Sequence, residues 1–497
     1  MKTRKFTILH SNDMHGDFYA EVGGEKGELI GGLSLLSGYI NQMREEEENV
    51  LYVIAGDMIQ GSIIDSEYKG ISTMSIMNYL APDVVTLGNH EFDYGLPHLL
   101  FLEKVANFPI VNANLYIRKY NKRLMRPYQI IPMAGLDILF IGIITEMVIE
   151  TIRSDREIAS FITLEEASQE VGKITNAYKH DDIDLTVLLT HIGFEADCEL
   201  AGLLDPAWGV DMIIGGHSHT VLEQPREMNG VLIAQAGVGT NQLGRFDIVV
   251  DDDTNSIVDY QWELVPIVAG AIERDRELKK YIDSYNEVVE LKYNSIVCKL
   301  STELTHPSRT QETSLGNLFA DALAEWGEID VMLLGSGSVR SEKLGPVVTL
   351  GDFMACFPFT DTLTRYTVTG RTLRRMFNHW MRPENRSGRG ECYQVNAGVR
   401  AVYSEDDRQL AGLWVDHQPV EDRVLYTVGL QGFHAGNSEA NLDVTPEGLT
   451  EAGRSRVVAT CAQDVILEYL REHQNFREEV EGRLVYVGGA SDGKREA

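Results

Sequence analysis

The stretch VVTLGNHEFDYG, residues 84–95, decides how this chain is read. A run rich in β-branched residues stops at Gly88. Asn89, His90, Glu91 and Asp93 then follow within five positions. β-Branched runs favour strands. An amide, an imidazole and two carboxylates crowded at a strand end therefore predict acid–base or metal chemistry. Glu91 is expected to support the structure around them, and Gly95 to let the chain turn away. The bland alternative for Asp93 is an N-cap of a following helix.

The same pattern recurs outward from this point. FTILHSND, NVLYVIAGD, FPIVNANL, DILFIGIIT, DLTVLLTHIG, VDMIIGGHSH and GVLIAQAG are short apolar runs that end abruptly in polar residues. Continuous apolar runs of this length suit strands buried on both faces. Helical stretches lie between several of them, among them GGLSLLSGYINQMREEEEN and SQEVGKITNAYKHDD. The result is an α/β layered domain, whose ligand chemistry gathers at the carboxyl ends of the strands. GVLIAQAG and GRFDIVVDDDTNSIVDYQWELVPI read as hairpin strands around turn residues.

Five of these runs end in metal-ligand types. Asp13 and His15 follow the first, Asp57 the second, and Asn89 and His90 the third. His191 closes TVLLTH, and His217 and His219 follow DMIIGG. Each piece alone is weak: Asp57 could cap a helix, and a lone His191 could be an ordinary buried histidine. Together, at the same end of successive strands, they point to a metal centre. Asp, His and Asn suit Zn²⁺, Mn²⁺ or Fe²⁺. Two neighbouring cations need a bridging carboxylate, and such a pair can hold a hydroxide and clamp a phosphoryl group for in-line attack.

Composition narrows the partners. The chain has 497 residues, too many for one ordinary core, so two or three domains are expected. Forty-four basic residues face 75 acidic ones, for a net charge of −31. That field repels nucleic acid polymers and anionic membranes, while a small anionic substrate needs a strong local positive site. Cys198, Cys298, Cys356, Cys392 and Cys461 are scattered and form no CxxC pair, which suggests reduced thiols. No signal-peptide h-region or membrane-length apolar stretch is visible, so a cytoplasmic protein is expected.

The motifs NDMHG, GDMIQGS, GNHEFDYG, THIG and GGHSHT, in this order, resemble the calcineurin-like metallophosphoesterases, specifically the two-domain, bacterial-type 5′-nucleotidase family. The resemblance implies a four-layer α/β/β/α catalytic domain and a C-terminal α/β substrate-binding domain. It implies two divalent metal ions (Zn, Mn, Fe or mixed). One would be held by Asp13, His15, Asp57 and His219; the other by Asp57, Asn89, His191 and His217, with Asp57 bridging. It gives His90 the phosphate and the transition state, and Asp93 the orientation of His90.

In the second half, SRTQETSLGNLFADAL and LLGSGSVR resemble the family's C-terminal domain. Arg309 and Arg340 would hold the phosphate or sugar side, and Phe359 and Phe433 would sandwich the base. Phe359 could alternatively be core. Two loops depart from the family pattern: Gly335 stands where asparagine is usual, and GNSEAN replaces a Gly-Gly-Asp-Gly loop, with Glu439 in place of the aspartate. The domains are drawn at 1–270 and 297–490, joined by the charged, helix-prone segment 271–296. The tail 488–497 is expected to fray.

The function expected is hydrolysis of nucleoside monophosphates to nucleoside and phosphate, in nucleotide catabolism. Two readings compete with it. The same centre could cut a UDP-sugar or dinucleotide pyrophosphate, or a 2′,3′-cyclic nucleotide. A catalytically silent nucleotide-binding protein would have lost a ligand or the His–Asp pair, and this sequence keeps them.

Overall fold

The structure, a computed structural model, describes all residues except 1–2, 24–26, 118, 147–158, 179–182, 252, 388–389 and 489–497. It divides into two compact units, Met1–Val289 and Glu290–Ala497. The division falls inside the helix Arg276–Tyr293.

Among its described residues, the first unit is built on two six-stranded sheets. In one, the parallel strands Thr3–Ser11, Val50–Ala55, Val84–Thr86 and Ile110–Val111 lie side by side, and the hairpin Gln242–Asp251/Ser256–Pro266 joins antiparallel at the edge. In the other, Leu136–Ile144, Leu185–His191, Met212–Ile214 and Val231–Ala234 run parallel. Tyr128–Met133 and Arg226–Met228 flank that sheet antiparallel. Asn229 and Gly230, both at positive φ, make the turn between Arg226–Met228 and Val231–Ala234, as an Asn-Gly hairpin requires.

The apolar runs are buried on both sides because each sheet is covered on both. Alternate residues Ile8, Leu51, Val53 and Val84 pack against Ile138, Phe140, Val187, Leu189 and Ile214 between the sheets. The opposite face of the second sheet, through Leu139, Ile141, Leu188 and Ile213, meets Val171 and Ile174 of one helix and Leu200 of another. The helix Leu33–Glu46 packs on the strand Val50–Ala55 of the first sheet. These are the four layers α/β/β/α. Each fully buried Leu, Ile or Phe contributes about 1.5–3 kcal/mol to holding them.

Two element readings are corrected. FPIVNANL is not one strand: Ile110–Val111 belongs to the first sheet and Leu115–Ile117 pairs elsewhere. Asn112 and Asn114, both buried, separate the pieces. The helix expected from Ser168 begins earlier, at Leu164, where Thr163 and Glu166 form a reciprocal capping box.

In the second unit, Val331–Met332, Leu425–Gln431, Leu363–Thr369 and Arg456–Ala459 form one mixed sheet. Val399–Ser404, Gln409–Val415, Gln418–Pro419 and Leu484–Val487 form another. The run VMLLG breaks at Leu333, so Leu334–Gly335 pairs instead with Tyr393–Gln394. The helices Ser314–Gly327 and Ala462–Glu472 share one core, while Gly370–Trp380 belongs to a second. No helix among the described residues is long and apolar enough to cross a membrane. Of the tail 488–497, residues from 489 onward lie outside the described residues.

Candidate metal centre and substrate cavity

The parallel strands of both sheets end on one side of the first unit, and their connections bring seven predicted ligands together. Asp13, His15, Asp57, His217 and His219 sit at φ values between 49° and 81°. Left-handed backbone at five non-glycine residues in one place stores conformational energy that the surrounding packing must hold. Gly88 admits the Asp57 side chain: a Cβ there would lie 2.1 Å from Asp57 Oδ1.

The donor atoms converge. His15 Nε2 and His219 Nε2 are 3.2 Å apart, and His219 Nε2 is 3.4 Å from Asp13 Oδ1. His191 Nε2 lies 3.1 Å from Asp57 Oδ2 and 3.8 Å from Asp13 Oδ1. Asn89 Oδ1 is 2.7 Å from His217 Nδ1 and 3.2 Å from His191 Nε2. Asp57 belongs to two ligand groupings, one with Asp13 and His191, the other with His15 and His90.

Both carboxylates are anchored by backbone N–H groups; the His217 N–H also reaches Asp13 Oδ1, at 3.0 Å. Asn12 Nδ2 and the His217 N–H donate to Asp13 Oδ2 at 2.7 and 2.9 Å, while the His90 N–H donates to Asp57 Oδ1 at 2.9 Å. His191 Nδ1 is 2.8 Å from the Ala55 carbonyl, an arrangement that makes Nδ1 the donor and turns the Nε2 lone pair to the cluster when the ring is neutral. Burial would neutralise His191, but Asp57 outweighs it and raises the imidazole pKa. The same pairing holds Asp57 low against its own burial. Burial lowers the pKa of His15 and of His217, which keeps those imidazoles neutral. Nitrogen and oxygen donors aimed at common points fit divalent cations.

His90 stands beside this cluster, edge-on to His15 with ring centroids 5.2 Å apart. Its Nδ1 is 2.7 Å from Asp93 Oδ2. That hydrogen bond is the main reason its pKa is raised. Asp93 is not the N-cap of the following helix; Gly95, at φ 84°, occupies the N-cap position of the helix Leu96–Val105. Glu91 is buried and accepts from the backbone N–H groups of Asp57 (3.0 Å), Met58 (2.8 Å) and Gly88. It thus ties the Asp57 loop to the Asn89 loop.

Sequence reasoning missed the groups under the histidine loop. Asp197, fully buried, accepts from Thr190 Oγ1 at 2.6 Å and Gln235 Nε2 at 2.7 Å. Gln235 Oε1 accepts from Ser218 Oγ, between His217 and His219. No motif marks Asp197 or Gln235; only burial of polar groups from separate elements reveals them. Asp197→Ala leaves both donors without this acceptor. Urea unfolding is expected to show a loss of about 2–4 kcal/mol, and a loss below about 0.5 kcal/mol would mean the network does not hold this loop.

The second unit contains a cavity of about 650 Å³. Arg309, Arg340, Phe359 and Phe433 all line it, with Glu391, Asp361 and His434, which the sequence did not single out. The Arg340 guanidinium lies 4.9 Å from the Phe359 ring centroid. Phe359 and Phe433 are 37% and 62% exposed, so neither is core. Glu439 does not join them: it lies on the short helix Ser438–Leu442, outside the cavity lining.

Gly335 has a physical reason here. A Cβ at this position would fall 2.0 Å from His434 Nε2, so the buried His434 ring occupies the space a side chain would need. Gly335→Asn is expected to destabilise the second unit by about 1–3 kcal/mol through overpacking. His434→Ala in the same chain should recover part of that loss in thermal unfolding. Equal stability of Gly335→Asn and wild type would sink this account.

Residues 6–221 match the model of the calcineurin-like phosphoesterase family, and residues 296–442 match that of the 5′-nucleotidase C-terminal domain. Endonuclease YhcR of Bacillus subtilis (strain 168) is 26% identical over 493 residues, covering 93% of this chain; the alignment spans 39% of that protein. A snake venom 5′-nucleotidase from Naja atra is 26% identical over 542 residues, covering 98% of this chain and 99% of that one. Among solved structures, the 5′-nucleotidase precursor from Thermus thermophilus aligns at TM-score 0.58 and 22% identity, covering 98% of this chain and 100% of that one. The two domain matches stand in the order the motifs predict, and the likeness runs the length of the chain. The chain therefore belongs to the 5′-nucleotidase family of calcineurin-like metallophosphoesterases.

Proposed function

We propose that this protein is a two-metal phosphohydrolase that releases phosphate from nucleoside monophosphates. The observation that carries the reading is the joint presence of a convergent ligand cluster and the His90–Asp93 pair beside it. Asp13, His15, Asp57 and His219 would hold one divalent ion, and Asp57, Asn89, His191 and His217 the other. Bound there, divalent cations supply Lewis acidity and neutralise charge on the phosphoryl oxygens.

The chain's own groups do the rest. Asp93 fixes the tautomer of His90 by accepting from Nδ1, which leaves Nε2 for the substrate. A protonated Nε2 can donate to a phosphoryl oxygen or deliver a proton to the departing sugar oxygen. Asp93 favours that protonated form, so His90 is suited to the acid role. Arg309 and Arg340 supply local positive charge in a chain of net charge −31, and the exposed faces of Phe359 and Phe433 offer stacking to any base. All five cysteines are unpaired, which supports a reducing, cytoplasmic setting and a part in intracellular nucleotide catabolism.

A second reading keeps the centre and changes the bond: a UDP-sugar or dinucleotide pyrophosphate, or a 2′,3′-cyclic nucleotide. The altered cavity, with His434 over Gly335 and Glu439 outside, favours testing it. The experiment is phosphate release by metal-stripped and Mn²⁺- or Zn²⁺-reloaded protein. Its panel is nucleoside monophosphates, UDP-glucose, NAD, a 2′,3′-cyclic nucleotide and an aryl phosphate. Metal-dependent release from the monophosphates supports the first reading. Cleavage of the others alone transfers the substrate to the second. No hydrolysis of any of them, with metal bound, would make it a binding protein.

A further inference from the structure

Asp197 sits beneath two loops that carry candidate ligands, on the helix Phe194–Leu203 that begins just past His191. It is fully buried, and each of its oxygens serves a different strand end. Oδ1 accepts from Thr190 Oγ1, beside His191, at 2.6 Å. Oδ2 accepts from Gln235 Nε2, past the end of Val231–Ala234, at 2.7 Å. These two strands flank Met212–Ile214, whose continuation carries His217 and His219. Gln235 holds that continuation from below. Its Nε2 reaches the Gly216 carbonyl at 3.4 Å, and its Oε1 accepts from Ser218 Oγ at 3.0 Å. The Phe194 N–H donates to the same hydroxyl at 3.0 Å. Gly215 leaves room for the carboxylate: a Cβ there would fall 2.0 Å from Asp197 Oδ2.

A carboxylate in this place costs free energy. Burial pushes its pKa up to about 7, against the opposing effects of Thr190, Gln235 and His191. An apolar side chain would fill the space at lower cost, but it could not fix the direction of two donors at once. We propose that Asp197 is a positioning residue for the metal centre, setting His191 and the His217–His219 loop in one register. This rests on the two-metal reading above. Two of the four ligands of the ion assigned to Asp57, Asn89, His191 and His217 hang on this brace. The other ion shares only His219 with it, so the first of them depends on Asp197 more.

The test is titration of the metal-stripped full chain with Co²⁺, followed by calorimetry and by the visible absorption of the bound ion. Asp197→Asn sets an amide N–H against Gln235 Nε2, donor against donor. It is expected to weaken one ion about 10- to 100-fold and to change that ion's absorption, with the other ion little affected. The weakened ion should be the one that His217→Ala removes. Gln235→Glu alone opposes two carboxylates and should act likewise. Asp197→Asn combined with Gln235→Glu restores donor–acceptor matching and net charge, and should recover most of the lost affinity. Ser218→Ala leaves Asp197 in place, so it reads the same link even if Asp197→Asn does not fold; it must weaken the same ion. Unchanged binding in Asp197→Asn or in Ser218→Ala overturns the inference. Equal weakening of both ions, or a double variant no better than the single ones, reduces Asp197 to support of the fold and overturns it too. Wild type that binds fewer than two ions removes the two-metal reading, and this inference with it.

Discussion

Replacing Asp57 with asparagine is expected to abolish metal-dependent phosphate release, with kcat falling by about 10³-fold or more, and to lower the metal content below the proposed two ions per chain. The expectation comes from where the two carboxylate oxygens point. Oδ1 accepts the His90 N–H, and Oδ2 lies 3.1 Å from His191 Nε2 and 4.0 Å from His15 Nε2. Asparagine keeps one oxygen and the shape, so the fold should survive. It cannot offer shared negative charge between two cations, and charge is what such a site uses to stabilise a phosphoryl transition state. Metal analysis by mass spectrometry alongside the phosphate assay separates the outcomes. Two ions retained with near-normal kcat would remove Asp57 from the bridging role.

The second large effect concerns the His90–Asp93 pair. His90→Ala should lower kcat by about 10²–10⁴-fold, the range for loss of a general acid or base, with metal content unchanged. The backbone N–H of residue 90, which anchors Asp57, is kept in the alanine variant. Asp93→Asn should cost less, about 10–100-fold, because it disturbs orientation and charge but leaves the imidazole in place. A His90→Ala protein that also loses a metal ion would show that the ring serves the ligand cluster and not the substrate.

The convergence of these Asp, His and Asn side chains was legible because each follows a buried run that could only be a strand, and parallel strands of one domain end together. Their partners were not. Asn12 lies next to a predicted ligand, yet nothing in NDMHG says that its amide would hold Asp13 and bridge to the Gly237 carbonyl at 2.6 Å. Asp197 and Gln235 are joined across 38 positions and carry no motif. The layered fold was readable from apolar runs buried on both faces; the split of FPIVNANL was not, because pairing partners lie far away in sequence. In the second unit the arginines and phenylalanines were found through resemblance. Glu391 and His434 were not, since their importance comes from folding against Gly337 and Gly335.

The five left-handed positions among the candidate ligands carry a consequence for how this centre can vary over time. Outside glycine, the residues that enter that backbone region most readily are asparagine, aspartate and histidine. These are also side chains that bind Zn²⁺, Mn²⁺ or Fe²⁺. Backbone geometry and coordination chemistry therefore select from the same short alphabet at positions 13, 15, 57, 217 and 219. Exchange within that alphabet can retune metal preference without reshaping the loops. Cysteine or glutamate at the same positions would meet both a backbone penalty and an altered reach. Lineages of this centre should drift among three residue types and rarely leave them.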